Sequence, residues 1–389
     1  MTEEIEDWTG KVHQGDAREK LKEMPDESVD MVITSPPYYG LRSYGDEEME
    51  SIWGGENDCE HSWDVAAEKS SQGGHNTDQN PSTVGGNKQT QKSKLRGQGG
   101  IESNYCSKCG AWKGQLGLEP SPFQFVQNLT EIFKEAYRVL KPAGSFYLNL
   151  GDTFAGGGGG VSGKPDDWDD QHNDDIYPDS VPARDVCFSD KCKMLIPHRV
   201  AISLINDGWI CRNDIVWSKP NPMPESVTDR RSTKFEYIFH FVKQKNYYYN
   251  LDSIREPYAR SSLERAEYAF DGTNDYEPGN AEGFSEQTVA SKDGKNPGDI
   301  QEITTANYSG SHFGVFPLEL IKPHIKSSCP ESGIVLDPFI GSGTTAVVAE
   351  QLEREWIGID LNKDYVDMSY ERVEQETKKI YDDRSIFDY

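Results

Sequence analysis

The sequence predicts an α/β fold, a mainly parallel sheet with helices on both faces. Three observations carry that expectation. Apolar runs of strand length alternate with segments of helical spacing. One run, Val29 to Thr34, stops at a pair of prolines. Another, Gly333 to Asp337, enters a glycine-rich turn that opens a helix.

The first strand ends at Ser35-Pro36-Pro37-Tyr38, where the prolines stop the ladder and make a rigid turn. Composition changes from about Gly40 to Gly117. Residues 69–100 are rich in Ser, Gln, Gly and Asn and read as a flexible insertion. No acid lies between Gln79 and Ile101, whereas Lys88, Lys92, Lys94 and Arg96 do; the stretch suits either plain solvation or contact with a polyanion. Order resumes at Pro122: Leu129, Ile132, Phe133, Ala136, Val139 and Leu140 have helical spacing, and Pro142 and Gly144 are expected to close that helix. Ser145 to Leu150 reads as a buried strand, Pro197 to Asn206 as a helix, and Trp209 to Trp217 and Phe235 to Val242 as strands. Residues 256–306 are polar and turn-rich. The last third supplies the Gly333–Asp337 strand, a helix from Thr344 and the strand Trp356–Asp360.

The chain has 389 residues, with 40 Lys+Arg against 66 Asp+Glu, a net charge of −26. That charge disfavours a polyanionic partner and suits a solvated acidic surface of the kind halophiles use. Mean hydropathy is −0.75, and no apolar run reaches membrane-spanning length. The acidic start MTEEIEDW is not a secretion signal, and 7 Cys without one do not read as a disulfide framework, so a cytoplasmic protein is expected.

Asp337-Pro338-Phe339-Ile340-Gly341-Ser342-Gly343-Thr344-Thr345 is a strand, a glycine-rich turn and a helix start, the place where open α/β sheets bind ligands. Glycines admit close backbone approach, and helix N-terminal amides favour an anionic group such as a carboxylate. Asp360, ending the next strand, can accept from two ribose hydroxyls. The turn has neither the Lys of a phosphate-binding loop nor G-x-G-x-x-G, so a nucleoside cofactor without a pyrophosphate fits best. At the other motif, Ser35, the Pro36 carbonyl and the Tyr38 ring suit a planar group bearing an exocyclic amine; an ordinary proline turn with a packed tyrosine is the plainer reading.

Together the two motifs resemble those of the DNA amino-methyltransferases, in the order of their circularly permuted β group. Gly15-Asp16, Leu21, Pro25 and Ser28-Val29-Asp30 are similar to the group's lead-in. Arg138-Val139-Leu140-Lys141-Pro142-x-Gly144, Trp217-Ser218-Lys219-Pro220-Asn221 and Phe235-Glu236-Tyr237-Ile238 resemble its middle motifs, and His312-Phe313-x-x-Phe316-Pro317 its first cofactor segment. The resemblance implies a Rossmann-like, S-adenosylmethionine-dependent methyltransferase fold, permuted. Phe313, Phe316, Asp337, Phe339, Gly341, Ser342, Gly343 and Thr344 would form the cofactor pocket, Asp360 would hold the ribose and Asp16 the adenine amine. Ser35, Pro36, Pro37 and Tyr38 would bind the flipped base and aim its amine at the sulfonium methyl. Ser at position 35 favours cytosine-N4; adenine-N6 on the same scaffold is the first alternative, and a catalytically silent DNA-binding protein the second.

Cys59-x-His61 and Cys106-x-x-Cys109 supply four soft ligands suited to tetrahedral zinc, with Gly110 allowing a knuckle turn; Cys187 and Cys192 make a poorer pair. DNA contacts are expected from Lys88, Lys92, Lys94 and Arg96 of the insertion and from Lys219, Arg230, Arg231 and Lys234, in a basic interval that continues to Lys243 and Lys245 and suits either phosphate contact or the balancing of nearby acids. The chain divides into an N-terminal core part (1–58), an insertion (59–118), a middle core part (119–245), a target-recognition region (246–306) and a cofactor part (307–389). The partners expected are double-stranded DNA and a cognate restriction endonuclease, with the chain a monomer or homodimer.

Overall fold

The computed structural model describes residues 4–40, 49–56, 58–65, 101–102, 104–155, 188–189, 191–261, 294–305 and 316–387. Lys88, Lys92, Lys94, Arg96, Cys187, His312 and Phe313 lie outside them, as do residues 262–293 of the expected recognition region. The described residues form two units. The larger comprises residues 1–49, 115–166 and 186–389, the smaller 50–114 and 167–185.

In chain order the larger unit begins with β1 (Lys11–Gln14), α1 (Ala17–Glu23) and β2 (Val29–Thr34). Asp16 caps α1, its carboxylate accepting the Arg18 amide at 2.9 Å. Four short strands, β3 (Ser51–Trp53), β4 (Asp64–Val65), β5 (Ile101–Glu102) and β6 (Trp112–Gly114), belong to the smaller unit. The larger resumes with α2 (Pro122–Val139), capped by Ser121 with Pro at its first position, then β7 (Leu140–Leu150), α3 (Ile196–Asn206), β8 (Ile210–Ser218), β9 (Phe235–Val242) and β10 (Ile300–Glu302). It ends with α4 (Leu318–Ser328), β11 (Ile334–Asp337), α5 (Thr344–Gln351), β12 (Glu355–Asp360) and α6 (Lys363–Phe387).

These strands make one 8-stranded sheet in the order β1-β12-β11-β2-β7-β9-β8-β10. β1 to β7 in that order pair in parallel; β9 pairs antiparallel with both β7 and β8, and β10 is parallel to β8. The order reverses between β11, which leads to β12, and β2, which leads to β7. A crevice at the carboxyl ends of strands belongs at such a switch point. Here the Ser35 and Asp337 motifs end adjacent strands, with Leu336 opposite Val32.

Adjacent residues of a strand face opposite sides of a sheet. Phe146 of β7 packs on Phe133 of α2 and on Trp209, with ring centroids 4.9 and 5.0 Å apart. Its neighbour Tyr147 stacks on His240 at 4.4 Å and meets His324 of α4 at 4.6 Å. Helices therefore cover both faces, as expected. Pro142 and Gly144 do not close α2 from outside. The helix ends at Val139 and the chain passes straight into β7. Pairing with β2 shifts from Val29–Leu140 to Met31–Ser145, so Pro142 falls in an irregularity that needs no ladder donor. The smaller unit holds β3 antiparallel to β6, with Trp53 opposite Trp112 and both rings buried, and β4 antiparallel to β5. Among the described residues no helix is long and apolar enough to cross a membrane.

His240 and His324 are buried in the core beside Tyr147, each with one polar partner: Ser145 at 3.0 Å and Gln301 at 3.2 Å. Burial pushes their pKa values down to about 3 and about 4, with His324 and Arg212 adding a repulsion at His240. Depressed folded-state values mean that the unfolded chain binds more protons as pH falls below the ordinary histidine value of 6.5, so the stability that these residues contribute is lost on acidification. Urea midpoints at pH 7.5 and pH 5 should fall less between the two in a His240→Phe/His324→Phe protein than in wild type. Equal acid losses would contradict the assignment.

Candidate active site

The site is built around Asp337, at the end of β11 and 1% exposed. One carboxylate oxygen accepts the Thr34 hydroxyl at 2.6 Å and the Phe339 amide at 3.1 Å; the other accepts the Thr345 hydroxyl at 2.6 Å. Thr34 is the last residue of β2, immediately before Ser35, and Thr345 lies in the first turn of α5. One buried carboxylate thus ties the proline tip to the glycine-rich turn. Burial raises its pKa to about 6 against the pull of its three donors. Its oxygens serve the scaffold, so Asp337 shapes the expected pocket from beneath.

The turn itself needs its glycines. Gly341 has φ +52° and Gly343 +80°, and a Cβ on Gly343 would lie 3.0 Å from Ser369 of α6. Asp360, at the end of β12, accepts the Gly341 amide at 2.9 Å through one oxygen and the Asn362 amide at 2.8 Å through the other. Remaining lone pairs can accept from ribose hydroxyls. Desolvation, then the neighbouring charge of Asp337, raises its pKa to about 6, the two amides opposing. Asp16 reaches the same edge, because the Gly15 amide donates to the Asp360 carbonyl at 2.9 Å. Ser342 and Thr344 are buried, and their hydroxyls accept from Arg372 of α6 at 2.7 and 2.9 Å. Phe339 is half-buried, whereas Phe316 packs into the apolar core with Leu320 and Ile321.

At the tip, Pro36 is buried while Ser35, Pro37 and Tyr38 are half-buried. The Ser35 hydroxyl donates to the Tyr38 oxygen at 3.2 Å. The Tyr38 hydroxyl faces Asn149 Oδ1 of β7 at 2.9 Å and Glu236 Oε2 of β9 at 2.8 Å. Lys219 forms an ion pair with the other Glu236 oxygen and lies over the Trp217 ring at 4.2 Å. A Cβ on Gly151 would come within 2.7 Å of the Tyr38 ring, so any side chain there would displace the ring. Behind the tip, buried Glu119 accepts the Gly117 amide at 2.8 Å and the Asn128 amide at 2.9 Å, and burial raises its pKa to about 7.

Of the residues expected to touch DNA, Lys219 is engaged with Glu236 inside this network. Arg230 pairs with Glu225 at 2.6 Å and stacks over Phe154 at 3.9 Å. Arg231 and Lys234 are exposed. The sequence alone assigns no role to Arg372, Asn149, Gly151, Thr34 or Thr345; Glu236 enters only as a motif letter, and Lys219 as a motif letter and an expected DNA contact. The polar Asn149 within an apolar strand was the one signal available.

In the smaller unit the ligand atoms of Cys59, His61, Cys106 and Cys109 all lie within 4.8 Å of one another. Cys59 Sγ is 3.9 Å from Cys106 Sγ, and Cys109 Sγ is 3.4 Å from His61 Nδ1. The amides of Ser62 and Lys108 both point at Cys106 Sγ at 3.4 Å, and Gly110 has φ +73°. These donors suit a thiolate held in a tight turn.

The sequence pattern of the family described as DNA methylase matches residues 29–371. The Type II methyltransferase M.Cfr9I of Citrobacter freundii is 30% identical over 367 residues, 94% of this chain and 88% of that protein. M.SmaI of Serratia marcescens, likewise a Type II methyltransferase, is 30% identical over 363 residues, 93% of this chain and 90% of that one. Among solved structures, the PvuII DNA methyltransferase (cytosine-N4-specific) aligns with 95% of this chain and 91% of its own, at 16% identity and a TM-score of 0.49.

Replacing Arg372 by Met leaves the buried Ser342 and Thr344 hydroxyls without their donor, which should cost about 1–3 kcal/mol of stability. Urea unfolding of the variant measures it; an unchanged midpoint would show that α6 does not brace the turn.

Proposed function

This chain belongs to the N6/N4 DNA methylase family, and from that premise we propose that it transfers a methyl group from S-adenosylmethionine to the exocyclic N4 of cytosine in duplex DNA after flipping the base. The observation that carries the reading is the Thr34–Asp337–Thr345 link, which fixes the base-binding tip beside the nucleoside-binding turn. The residues suit S-adenosylmethionine: Asp360 keeps lone pairs toward a ribose, the Asp16 carboxylate stands at the same edge for the adenine amine, and Gly341 and Gly343 put no side chain between the turn and the amino-acid end. Bound there, S-adenosylmethionine supplies an electrophilic methyl on a sulfonium. Ser35 and the Pro36 carbonyl accept hydrogens from the target amine, concentrating its lone pair on nitrogen, while the Tyr38 ring stacks on the base. Positioning and electrostatics then provide the catalysis.

Ser at position 35 supports cytosine-N4 over adenine-N6. The occurrence of β2 early and β11 late in the chain, side by side in the sheet, supports the permuted order of motifs. Exposed Arg231 and Lys234 are the described candidates for phosphate contact, and likeness to two Type II methyltransferases supports a partner restriction endonuclease and a cytoplasmic place of work. Nucleoside mass spectrometry of DNA treated with the enzyme should show N4-methylcytosine, lost in Tyr38→Ala. N6-methyladenine alone would overturn the base assignment, and no methylation the enzymatic reading.

The cysteine–histidine cluster fits zinc, because the ligand atoms of three thiols and one imidazole gather within 4.8 Å of one another and a small polar unit gains folding energy from such an ion. Cys59, His61, Cys106 and Cys109 would hold it. Metal analysis should find about one zinc per chain, lost in Cys106→Ser; a metal-free wild type would refute the site. The charge of −26 supports a salt-rich setting, where repulsion from DNA is screened within about 3 Å at 1 M salt. Methylation should persist at molar KCl, and an enzyme active only at low salt would contradict a halophilic origin.

A further inference from the structure

Resting on base methylation at the Ser35 tip, we propose that Glu236 is the terminal proton acceptor of the reaction, reached through the hydroxyls of Ser35 and Tyr38. A hydrogen count points there. The Ser35 hydroxyl donates to the Tyr38 oxygen at 3.2 Å, and the single Tyr38 hydroxyl hydrogen is shared between Glu236 Oε2 at 2.8 Å and Asn149 Oδ1 at 2.9 Å. Asn149 cannot turn its amide to relieve this, because its Nδ2 already donates to the Tyr237 carbonyl at 3.1 Å and to Glu236 at 3.3 Å. The chain of hydroxyls therefore runs in one direction, out of the base site and into a carboxylate. Lys219, paired with the other oxygen of Glu236, holds that carboxylate in place.

The electron and proton balance closes along this line. The lone pair of the exocyclic amine forms the N–C bond as the C–S bond breaks, its electron pair passing to sulfur and leaving a neutral thioether. The nitrogen, now cationic, gives its proton to Ser35 Oγ, the Ser35 hydrogen moves to the Tyr38 oxygen, and the Tyr38 hydrogen moves to Glu236. The positive charge that entered on the sulfonium ends as a neutralised carboxyl beside Lys219, and the proton passes to water once product has left. Glu236 never touches the base; it acts through the Tyr38 hydroxyl and, beyond it, the Ser35 hydroxyl that meets the amine.

The test is methyl transfer from labelled S-adenosylmethionine to amplified, unmodified duplex DNA by the full chain. Glu236→Gln should lower kcat about 10²-fold, the worth of a positioned proton acceptor, with KM for both substrates nearly unchanged. Glu236→Asp should recover part of the rate, and Tyr38→Phe, which leaves the Glu236–Lys219 pair intact, should show the same kcat loss. A solvent deuterium isotope effect on kcat in wild type should shrink in both broken relays. Should Glu236→Gln fail to fold, Tyr38→Phe alone decides. Wild-type label with kcat retained in Glu236→Gln or Tyr38→Phe, or a loss that falls on KM, would overturn the relay alone. No label with wild type would overturn the methyl-transfer reading beneath it.

Discussion

A carboxylate buried between two threonines governs this molecule. Thr34 and Asp337 stand 303 positions apart in the chain, yet their side chains meet at 2.6 Å, and Thr345 closes the same carboxylate from the other side. A charge in a dry interior is tolerable only when it is well hydrogen-bonded, so Asp337 demands all its donors at once. That demand brings the tips of β2 and β11 into one register. The proline turn proposed to bind the base follows Thr34 directly, and the glycine-rich turn follows Asp337. Geometry at the reaction centre, which tolerates little error, is thereby set by a contact that touches neither reactant.

Charge around this centre is largely paired among the described residues. Near the tip, cations are engaged inside the protein: Lys219 by Glu236, Arg230 by Glu225 and the Phe154 ring. The ion pairs that lie at the surface contribute little to stability. The polar interior contributes more, because Asp337, Asp360 and Glu119 each hold backbone amides or hydroxyls that fix a turn. Burial raises the pKa values of all three, to about 6, 6 and 7, so acidification from neutrality protonates these braces.

Much of the sheet was legible because its strands are dry on both faces and so read as continuous apolar runs: Val29–Thr34, Phe235–Val242 and Glu355–Asp360 stand where such runs stand. β1 buries only Val12, β10 lies at the sheet edge with no buried residue, and α6 is largely charged, so none of the three carries a periodic signal. Pro142 misled because a proline normally ends a helix from outside, whereas here the strand absorbs it in an irregular register. The two motif turns were visible in the residue types alone. What holds them was not: Arg372, Asn149 and Gly151 act on partners far away in sequence, and single residues of ordinary type announce no such pairing.

The central claim is that the Asp337 link sets catalytic geometry. Thr34→Val breaks its β2 arm while leaving Thr345, Asp360 and the glycine-rich turn in place. Its single-turnover methyl-transfer rate should be measured at saturating S-adenosylmethionine, alongside calorimetric binding of S-adenosylhomocysteine. Binding should stay close to wild type while the transfer rate drops by about 10²-fold, the cost of displacing reacting groups by about 1 Å. A transfer rate equal to wild type, or a loss confined to binding, would contradict the account.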